Sequence, residues 1–181
     1  KADSGDIVGK RDYALLLFYL TTGMRRREVI QLTWGNVKIN GTLILETQVK
    51  GSEYVNREVR DPSVKAALLD YLAAAGRGEL TPDSPLWTVH DRTGLHAGKP
   101  LTSHGFVKNL KRYAKQAEIG DVHLHQTRHT FARVVSEDTG SIIETQDALG
   151  HKNAATTRVY VQRIVTKKDK HSSKIAARFG L

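Results

Sequence analysis

Apolar residues recur at helical spacing in several separate stretches of the chain. The first stretch places four apolar side chains at i, i+3, i+4 and i+7, the spacing of one helix face: Tyr13, Leu16, Leu17 and Leu20. This pattern predicts a helix over residues 11–22 that buries the stripe, and Gly23 is a natural stop at its C-terminus. A short helix is predicted next over residues 26–32, with three apolar side chains turned inward: Val29, Ile30 and Leu32. Further helices are predicted over residues 63–75, 102–117, 126–138, 141–149 and 154–162.

The hydrophobic period changes from helical to alternating between residues 37 and 60. Two alternating runs, 37–40 and 42–49, meet at Asn40-Gly41, which is a strong signal for a tight hairpin turn. Lys50-Gly51-Ser52 predicts a second turn before a third strand over residues 54–59. Residues 76–100 are rich in glycine and proline and predict a loop around one short buried piece, residues 86–89. The expected fold is therefore mainly α with a small antiparallel β-sheet, an α+β domain.

Composition narrows the class of protein. The chain has 181 residues, of which 39% are hydrophobic, so it can form a real core and is not disordered. Cysteine is absent, which excludes disulfides and thiolate-bound metals. The longest apolar run, residues 14–20, is far too short to span a membrane, and no membrane partner is expected. A formal charge of +9 favours a polyanionic partner, usually nucleic acid, and a basic surface that only keeps the chain soluble is the alternative interpretation. The expected location is the cytoplasm, in association with DNA.

Basic residues recur on one face of the helix predicted over residues 102–117. They stand at helical spacing: Lys108, Lys111, Arg112 and Lys115. A solvated surface is one interpretation of this face, and a surface that contacts DNA phosphates is the other.

Residues 125–160 carry side chains suited to chemistry on a phosphodiester. His125 and Arg128 stand three residues apart, so a helix would carry both on one face. His151 follows in Leu149-Gly150-His151, and Tyr160 comes nine residues later. Arginine can bind two phosphate oxygens at once, and histidine can transfer protons. Tyrosine is a suitable nucleophile because phenolate is a fair leaving group, which makes a covalent intermediate reversible.

Each of these residues has an ordinary structural explanation when it is taken alone, and the order and spacing of the set favour the catalytic interpretation. A zinc site is disfavoured: His125 and His129 have the spacing of two zinc ligands, but Gln126 stands where a zinc protease has glutamate. The segment also lacks the clustered carboxylates of a metal-dependent nuclease.

The set resembles the C-terminal signature of tyrosine recombinases, the family of phage integrases and chromosome-dimer resolvases. Its boxes stand here as His125-Gln126-Thr127-Arg128-His129-Thr130-Phe131-Ala132, then Leu149-Gly150-His151, then Tyr160. The family's upstream arginine box matches Thr22-Gly23-Met24-Arg25-Arg26-Arg27-Glu28-Val29. Its hairpin lysine matches Lys50, with Lys38 as the alternative, and Thr127 stands at a position that is usually a buried leucine. The resemblance covers residues 10–163.

This resemblance implies a reaction in which Tyr160 attacks the scissile phosphate and becomes a 3′-phosphotyrosyl. It implies that Arg25 and Arg128 clamp the non-bridging oxygens in the transition state. Lys50 would protonate the departing 5′ oxygen.

The remaining matched residues have assisting roles by the same resemblance. His125 would help proton transfer at the nucleophile, His151 would bond a phosphate oxygen, and Glu28 would brace Arg25. Arg26 and Arg27 are expected to contact the DNA backbone. Because the phosphotyrosyl keeps the bond energy, neither a cofactor nor a metal is implied.

The resemblance also divides the chain and implies its partners. Residues 1–9 are expected to be an arm or linker remnant, residues 10–163 the catalytic domain, and residues 164–181 a basic tail that either docks on a neighbouring protomer or is disordered. The partner would be double-stranded DNA, bound weakly by this domain alone. The protein would be a monomer by itself and a tetramer in a synapse with DNA.

Two alternatives share much of this pattern. A type IB topoisomerase-like enzyme uses the same tyrosine, arginine and lysine chemistry, although Leu149-Gly150-His151 favours a site-specific recombinase or integrase. A DNA-binding module of the same fold that has lost catalysis is the second alternative.

Overall fold

The computed structural model describes residues 6–49, 53–91, 93–120 and 122–150. The chain consists of two compact units, Lys1–Phe131 and Ala132–Leu181. The first unit holds these elements: α1 (Ile7–Thr22), α2 (Arg26–Ile30), a 3₁₀ turn (Trp34–Asn36), β1 (Val37–Asn40), β2 (Thr42–Val49), β3 (Glu53–Val59), α3 (Pro62–Ala74) and α4 (Ser103–Gln116). Helix α5 (Leu124–Thr139) begins in the first unit and ends in the second, which also holds α6 (Ile142–Leu149).

Helix α1 begins four residues before the predicted start. The Asp6 carboxylate caps it by accepting a hydrogen bond from the backbone N of Val8 at 2.7 Å. Residues 7–9, which were expected to belong to an arm, therefore form its first turn. The helix ends at Gly23 as predicted, where φ is 60°.

The buried face of α1 differs from the predicted stripe. The apolar side chains that are fully buried are Ala14, Leu15, Phe18 and Tyr19. Tyr13 is 39% exposed and Leu20 is 43% exposed, so the prediction for these two was wrong. Residues 13–20 are apolar nearly all round, and such a run does not identify one face. The face that turns inward also carries Arg11 and Asp12, which are buried together as an ion pair.

The sheet was predicted correctly. Its three strands run antiparallel in the order β1-β2-β3. Asn40 pairs with Thr42 around Gly41, whose φ is 77°, and Leu45 of β2 lies opposite Arg57 of β3. The row of β2 that faces the core consists of Leu43, Leu45 and Thr47, all buried.

The core of the first unit lies where α1 and α3 meet the sheet and the segment after α3. Trp87 is fully buried at its centre, edge-on to Phe18 with ring centroids 5.1 Å apart and stacked on Tyr71 at 5.9 Å. Its Nε1 donates a hydrogen bond to the backbone oxygen of Val29 at 2.8 Å. The short piece within the long loop is thus buried as predicted, and it anchors the end of α2.

The predicted fold class is confirmed: the described residues are mostly helical and contain one small antiparallel sheet. Along the described segments, no helix is long and apolar enough to cross a membrane. The helix predicted over residues 154–162 and the basic tail lie outside the described residues.

Candidate active site

The upstream arginine box lies in the tight connection between α1 and α2. Gly23 makes this connection possible in two ways. Its φ of 60° is unfavourable for any residue with a side chain, and a Cβ at this position would collide with the ring of Phe131. Met24 is buried, so the chain emerges at Arg25, the residue that caps α2.

Arg25 and Glu28 hold each other in a reciprocal cap. The backbone N of Arg25 donates to Glu28 Oε2 at 2.7 Å, and Arg25 Nη1 donates to Glu28 Oε1 at 2.8 Å. The Glu28 side chain is 15% exposed, whereas that of Arg25 is 48% exposed. Burial acts to raise the pKa of Glu28, but the hydrogen bonds from Arg25 and the positive charges of Arg25 and Arg128 outweigh it, so the pKa lies below its usual value. Glu28 is therefore ionised at neutral pH, and it orients an arginine that still faces solvent.

Arg128 brings the second box to the first. It lies in the second turn of α5, is 4% exposed, and its Nη1 donates a hydrogen bond to the carbonyl oxygen of Gly23. The two residues are 105 positions apart in sequence. The contact sets the guanidinium of Arg128 beside the connection that carries Arg25, close enough for its charge to act on Glu28.

His125 lies exposed in the first turn of α5, on the same helix as Arg128 as predicted. Its ring is perpendicular to that of His129, with centroids 4.7 Å apart. Gln126 Oε1 accepts from the backbone N of His123 at 3.0 Å and fixes the start of the helix. Thr127 is buried as expected, and its hydroxyl donates to the carbonyl of Leu124 at 2.6 Å. The threonine thus satisfies its polar group locally where the family usually has leucine.

Arg57 of β3 is a further basic residue near Arg25 and Glu28, although no sequence motif marks it. Burial lowers the pKa of Arg57, the charge of Glu28 raises it, and the charge of Arg25 lowers it further. Arg57 therefore lies within electrostatic reach of both residues. The sequence could have indicated this position, because Arg57 and the buried Val59 are two residues apart in β3 and therefore lie on the same face of the strand.

The residues predicted to contact DNA are exposed. Arg26 and Arg27 face solvent in the first turn of α2. The basic face of α4 is exposed along its length: Lys108, Lys111, Arg112 and Lys115. In the part of the chain that the structure describes, none of these four forms an ion pair within 4 Å. Arg112 lies over the ring of Tyr113, 5.0 Å from its centroid.

Lys50, His151 and Tyr160 lie outside the described residues, so the geometry covers Arg25, Glu28, His125 and Arg128. The alternative lysine, Lys38, forms an ion pair with Glu46 at 2.6 Å and its side chain is 57% exposed.

Taken together, Arg25, Arg128 and Glu28 concentrate positive charge at one place. The guanidinium groups of Arg25 and Arg128 both act on the Glu28 carboxylate, which leaves an excess of positive charge beside the partly exposed Arg25. Arginine forks bind phosphate oxygens in pairs, so the arrangement suits a phosphodiester. Within residues 6–49, 53–91, 93–120 and 122–150, no group of three histidine, aspartate or glutamate side chains is placed to hold a metal.

Comparisons of sequence and of structure with known proteins point to the same family. The sequence profile of the Phage integrase family matches residues 2–166. A tyrosine recombinase XerC of Xylella fastidiosa is 31% identical over 84% of this chain and 49% of its own length. A XerC of Herpetosiphon aurantiacus is 32% identical over 84% of this chain and 48% of its own length.

A solved structure of a recombinase is similar in fold to this chain. It is a XerH site-specific recombinase bound to palindromic difH substrate in a post-cleavage complex, 25% identical, with a TM-score of 0.73 over 94% of this chain and 46% of that one. This chain thus spans about half the length of the relatives that it matches. Since the family profile covers nearly the whole sequence and the fold agrees, the chain belongs to the phage integrase family of tyrosine recombinases.

Proposed function

We propose that this chain is the catalytic domain of a site-specific DNA recombinase that breaks and rejoins DNA through Tyr160. The observation that carries the proposal is the contact of Arg128 with the Gly23 carbonyl, which sets the two arginine boxes side by side around Glu28. A phosphate held there would meet two guanidinium groups supplied by distant parts of the chain. Family membership supplies the nucleophile that this site would serve.

In the proposed reaction the phenolic oxygen of Tyr160 attacks the scissile phosphorus. The bond from phosphorus to the 5′ oxygen breaks, and the 3′ phosphate remains on Tyr160 as a phosphodiester. His125 accepts the phenolic proton, and Lys50 delivers a proton to the departing 5′ oxygen. A 5′-hydroxyl from the partner strand then attacks the phosphotyrosyl and restores the DNA backbone, so neither ATP nor a metal is required.

The arginines stabilise the charge that develops on the non-bridging oxygens. Arg25 and Arg128 each offer a planar fork to the pentacoordinate phosphorus, and His151 hydrogen-bonds one of its oxygens. Removing one such preorganised donor costs on the order of 10²–10³ in rate. Glu28 touches Arg25 and serves to hold it.

DNA binding is assigned to the exposed basic residues around this site. Arg26 and Arg27 lie next to Arg25 and contact the backbone near the scissile phosphate. The cationic face of α4 contacts phosphates further along the duplex. These contacts position the DNA without specifying its sequence.

The partner is double-stranded DNA, by analogy with the XerH recombinase that was solved with its difH substrate. The chain is a monomer by itself, and four protomers on two duplexes carry out strand exchange. Such a protein acts in the cytoplasm on chromosomal or mobile DNA.

A trapping assay tests the proposal. The chain is incubated in EDTA with nicked suicide DNA that carries candidate sites, and a covalent protein–DNA band is sought on a denaturing gel. The wild type should give the band and Tyr160→Phe should abolish it, because phenylalanine has no oxygen to attack phosphorus. Tyr13→Phe is the matched control, since Tyr13 is a partly exposed tyrosine of α1.

The outcomes separate the alternatives. A band that survives in Tyr160→Phe would exclude Tyr160 as the nucleophile. A band that requires divalent metal would contradict the metal-free mechanism. Strand exchange between two labelled duplexes then distinguishes a recombinase from a topoisomerase, which only relaxes supercoils. If no band forms even when longer versions of the protein and several sites are supplied, the catalytic claim fails and DNA binding alone remains as the proposal.

A further inference from the structure

His125 and His129 form a pair of rings on the first two turns of α5. They stand four residues apart, a spacing that places both side chains on one face of the helix. Their ring centroids are 4.7 Å apart and the ring planes are perpendicular. In this arrangement the electropositive edge of one ring lies against the electron-rich face of the other. The contact therefore has the geometry of attractive aromatic packing.

The contact with His129 limits the rotation of the His125 ring. His125 is exposed, and within the described segments its side chain forms no hydrogen bond and no ion pair. The torsion that rotates an imidazole about its bond to Cβ has only a broad preference, so the helix alone does not fix it. As the ring rotates, its two nitrogens point in different directions. A second ring packed against the imidazole restricts this rotation.

The surroundings of the pair are better held than the His125 side chain itself. His129 is partly buried and follows Arg128, which is 4% exposed. The start of the helix is fixed by Gln126, whose side chain and backbone both bond to the backbone of His123. The backbone of His125 is thus held in place, and its side-chain torsions remain for the ring contact to restrict.

Proton transfer at the nucleophile requires an imidazole of defined orientation. In the proposed reaction the O–H bond of Tyr160 breaks as its oxygen bonds to phosphorus, and the proton goes to a ring nitrogen of His125. That nitrogen must carry a free lone pair and lie within hydrogen-bond distance of the phenol. A ring turned elsewhere would leave the phenol protonated even with DNA and both arginines in place.

We propose that His129 is a positioning residue, whose ring packs against His125 and holds that imidazole in the orientation needed for proton transfer. The ring contact itself does not depend on the reaction, whereas its catalytic consequence rests on the proposed function. In this role His129 does not take the proton, so its flat ring is needed and its nitrogen atoms are not.

The contact is tested without DNA by NMR of the histidine rings. The chain is labelled with ¹³C in the imidazoles, and the His125 signal is assigned as the one missing from His125→Ala. The order parameter of its ring C–H bonds reports how freely the ring rotates. His129→Leu should lower this order parameter, and His129→Phe, which keeps a flat ring, should leave it near the wild-type value.

The matched control for the NMR measurement is His123→Leu. His123 is an exposed histidine at the same helix start, and it bonds to Gln126 through its backbone N. This substitution should leave the order parameter of the His125 ring unchanged. An unchanged order parameter in His129→Leu as well would overturn the proposal.

The catalytic consequence is tested by covalent trapping at a series of DNA concentrations, which separates the rate at saturation from the affinity. His129→Leu should lower the saturating rate about 10- to 100-fold, the scale of a misplaced catalytic group, and change the half-saturating DNA concentration less than about threefold. His129→Phe should recover most of the rate. A loss in His129→Phe as large as in His129→Leu, or a loss of affinity in place of rate, would refute the positioning role. If His129→Leu does not fold, His129→Asn replaces it, since asparagine also lacks a ring.

A double-mutant cycle shows whether the effect passes through His125. In the His125→Ala background His129→Leu should cause almost no further loss, because the ring that it orients is gone. An equal loss in both backgrounds would refute the proposal. Absence of trapping by the wild type would count against the proposed function, while NMR would still decide whether His129 holds the His125 ring. Trapping by the wild type with no effect of His129→Leu would count against this inference alone.

Discussion

At the scale of single residues, Gly23 shows how backbone geometry serves the candidate site. Its left-handed conformation ends α1, its missing side chain leaves room for Phe131, and its carbonyl accepts from Arg128. One residue thus ends a helix, admits the start of α5 and joins the two arginine boxes. These three requirements explain why the box has glycine at this position.

Gly23→Ala should therefore be more damaging than an ordinary glycine substitution. The left-handed conformation costs about 1–2 kcal/mol for a residue with a Cβ, and the collision with Phe131 adds to it. Gly41→Ala is the matched control, because its φ is 77° and a Cβ there meets nothing within 4 Å. Urea unfolding should show a loss at Gly23 that exceeds the loss at Gly41 by at least about 1 kcal/mol. Equal losses would mean that Phe131 moves aside freely.

Residues close in sequence were the predictable part of the site. The pairing of Arg25 with Glu28 follows from a spacing of three at a helix start, and His125 with Arg128 follows from the same spacing. The contact of Arg128 with Gly23 spans 105 positions and depends on tertiary packing, so no local pattern reveals it. Arg57 was not predicted to lie near Arg25 and Glu28, because its position depends on which face of a three-stranded sheet meets the core.

At the scale of elements, prediction succeeded where local chemistry is decisive. The turn at Asn40-Gly41 and the stop at Gly23 are both found. Helix α4 begins close to its predicted start because the Thr102 hydroxyl accepts a hydrogen bond from the backbone N of Gly105 at 3.1 Å. The face of α1 was predicted wrongly because residues 13–20 are apolar nearly all round and give no periodic contrast. The inward face includes a buried ion pair, which a hydrophobic pattern cannot locate.

Helix α4 gives a prediction about salt. Its basic face is exposed while Asn109 and Tyr113, on a different side, bond to Asp12 at 2.8 Å each, so the orientation of the helix is fixed. Each phosphate contact contributes about 0.9 to the slope of log affinity against log salt concentration. Replacing Lys108, Lys111 and Lys115 together by glutamine should weaken DNA binding and reduce the slope by up to about 3.

The control for α4 removes the same charge elsewhere. Glutamine at Lys38, Lys65 and Lys99 lowers the net charge by an equal amount, and these lysines lie in β1, α3 and the long loop. Fluorescence anisotropy from low to moderate salt measures both slopes. If the slope of log affinity against log salt concentration falls equally in both triple variants, the basic face of α4 contributes only net charge and does not contact DNA.

At the scale of the first unit, the Arg11–Asp12 pair connects elements that are distant in sequence. Arg11 donates twice to Asp12 and once to the carbonyl of Thr88 at 2.8 Å. The other oxygen of Asp12 accepts from Asn109 and from the hydroxyl of Tyr113. The pair therefore ties α1 to α4 and to the buried piece of the loop, and the orientation of the basic face depends on it.

Asp12→Asn should accordingly destabilise this unit strongly. Asp12 is 1% exposed and Arg11 is 3% exposed, so the substitution leaves a buried guanidinium without a counter-ion. Breaking such a pair from one side costs about 3–5 kcal/mol. Asp70→Asn is the matched control, because Asp70 pairs with Lys10 on the same helix α1 but is 55% exposed, and its loss should stay within about 1 kcal/mol.

Urea denaturation gives the free energy of unfolding of both variants. A DNA-binding assay then shows whether the substitution also affects the basic face of α4. A folded Asp12→Asn protein should bind DNA more weakly than wild type at equal salt, since Tyr113 loses its charged acceptor and Arg112 lies over that ring. If Asp12→Asn proved as stable as Asp70→Asn, the buried pair would be replaceable by neutral hydrogen bonds. The orientation of α4 would then rest on its apolar contacts alone: Phe106, Leu110 and Ala114.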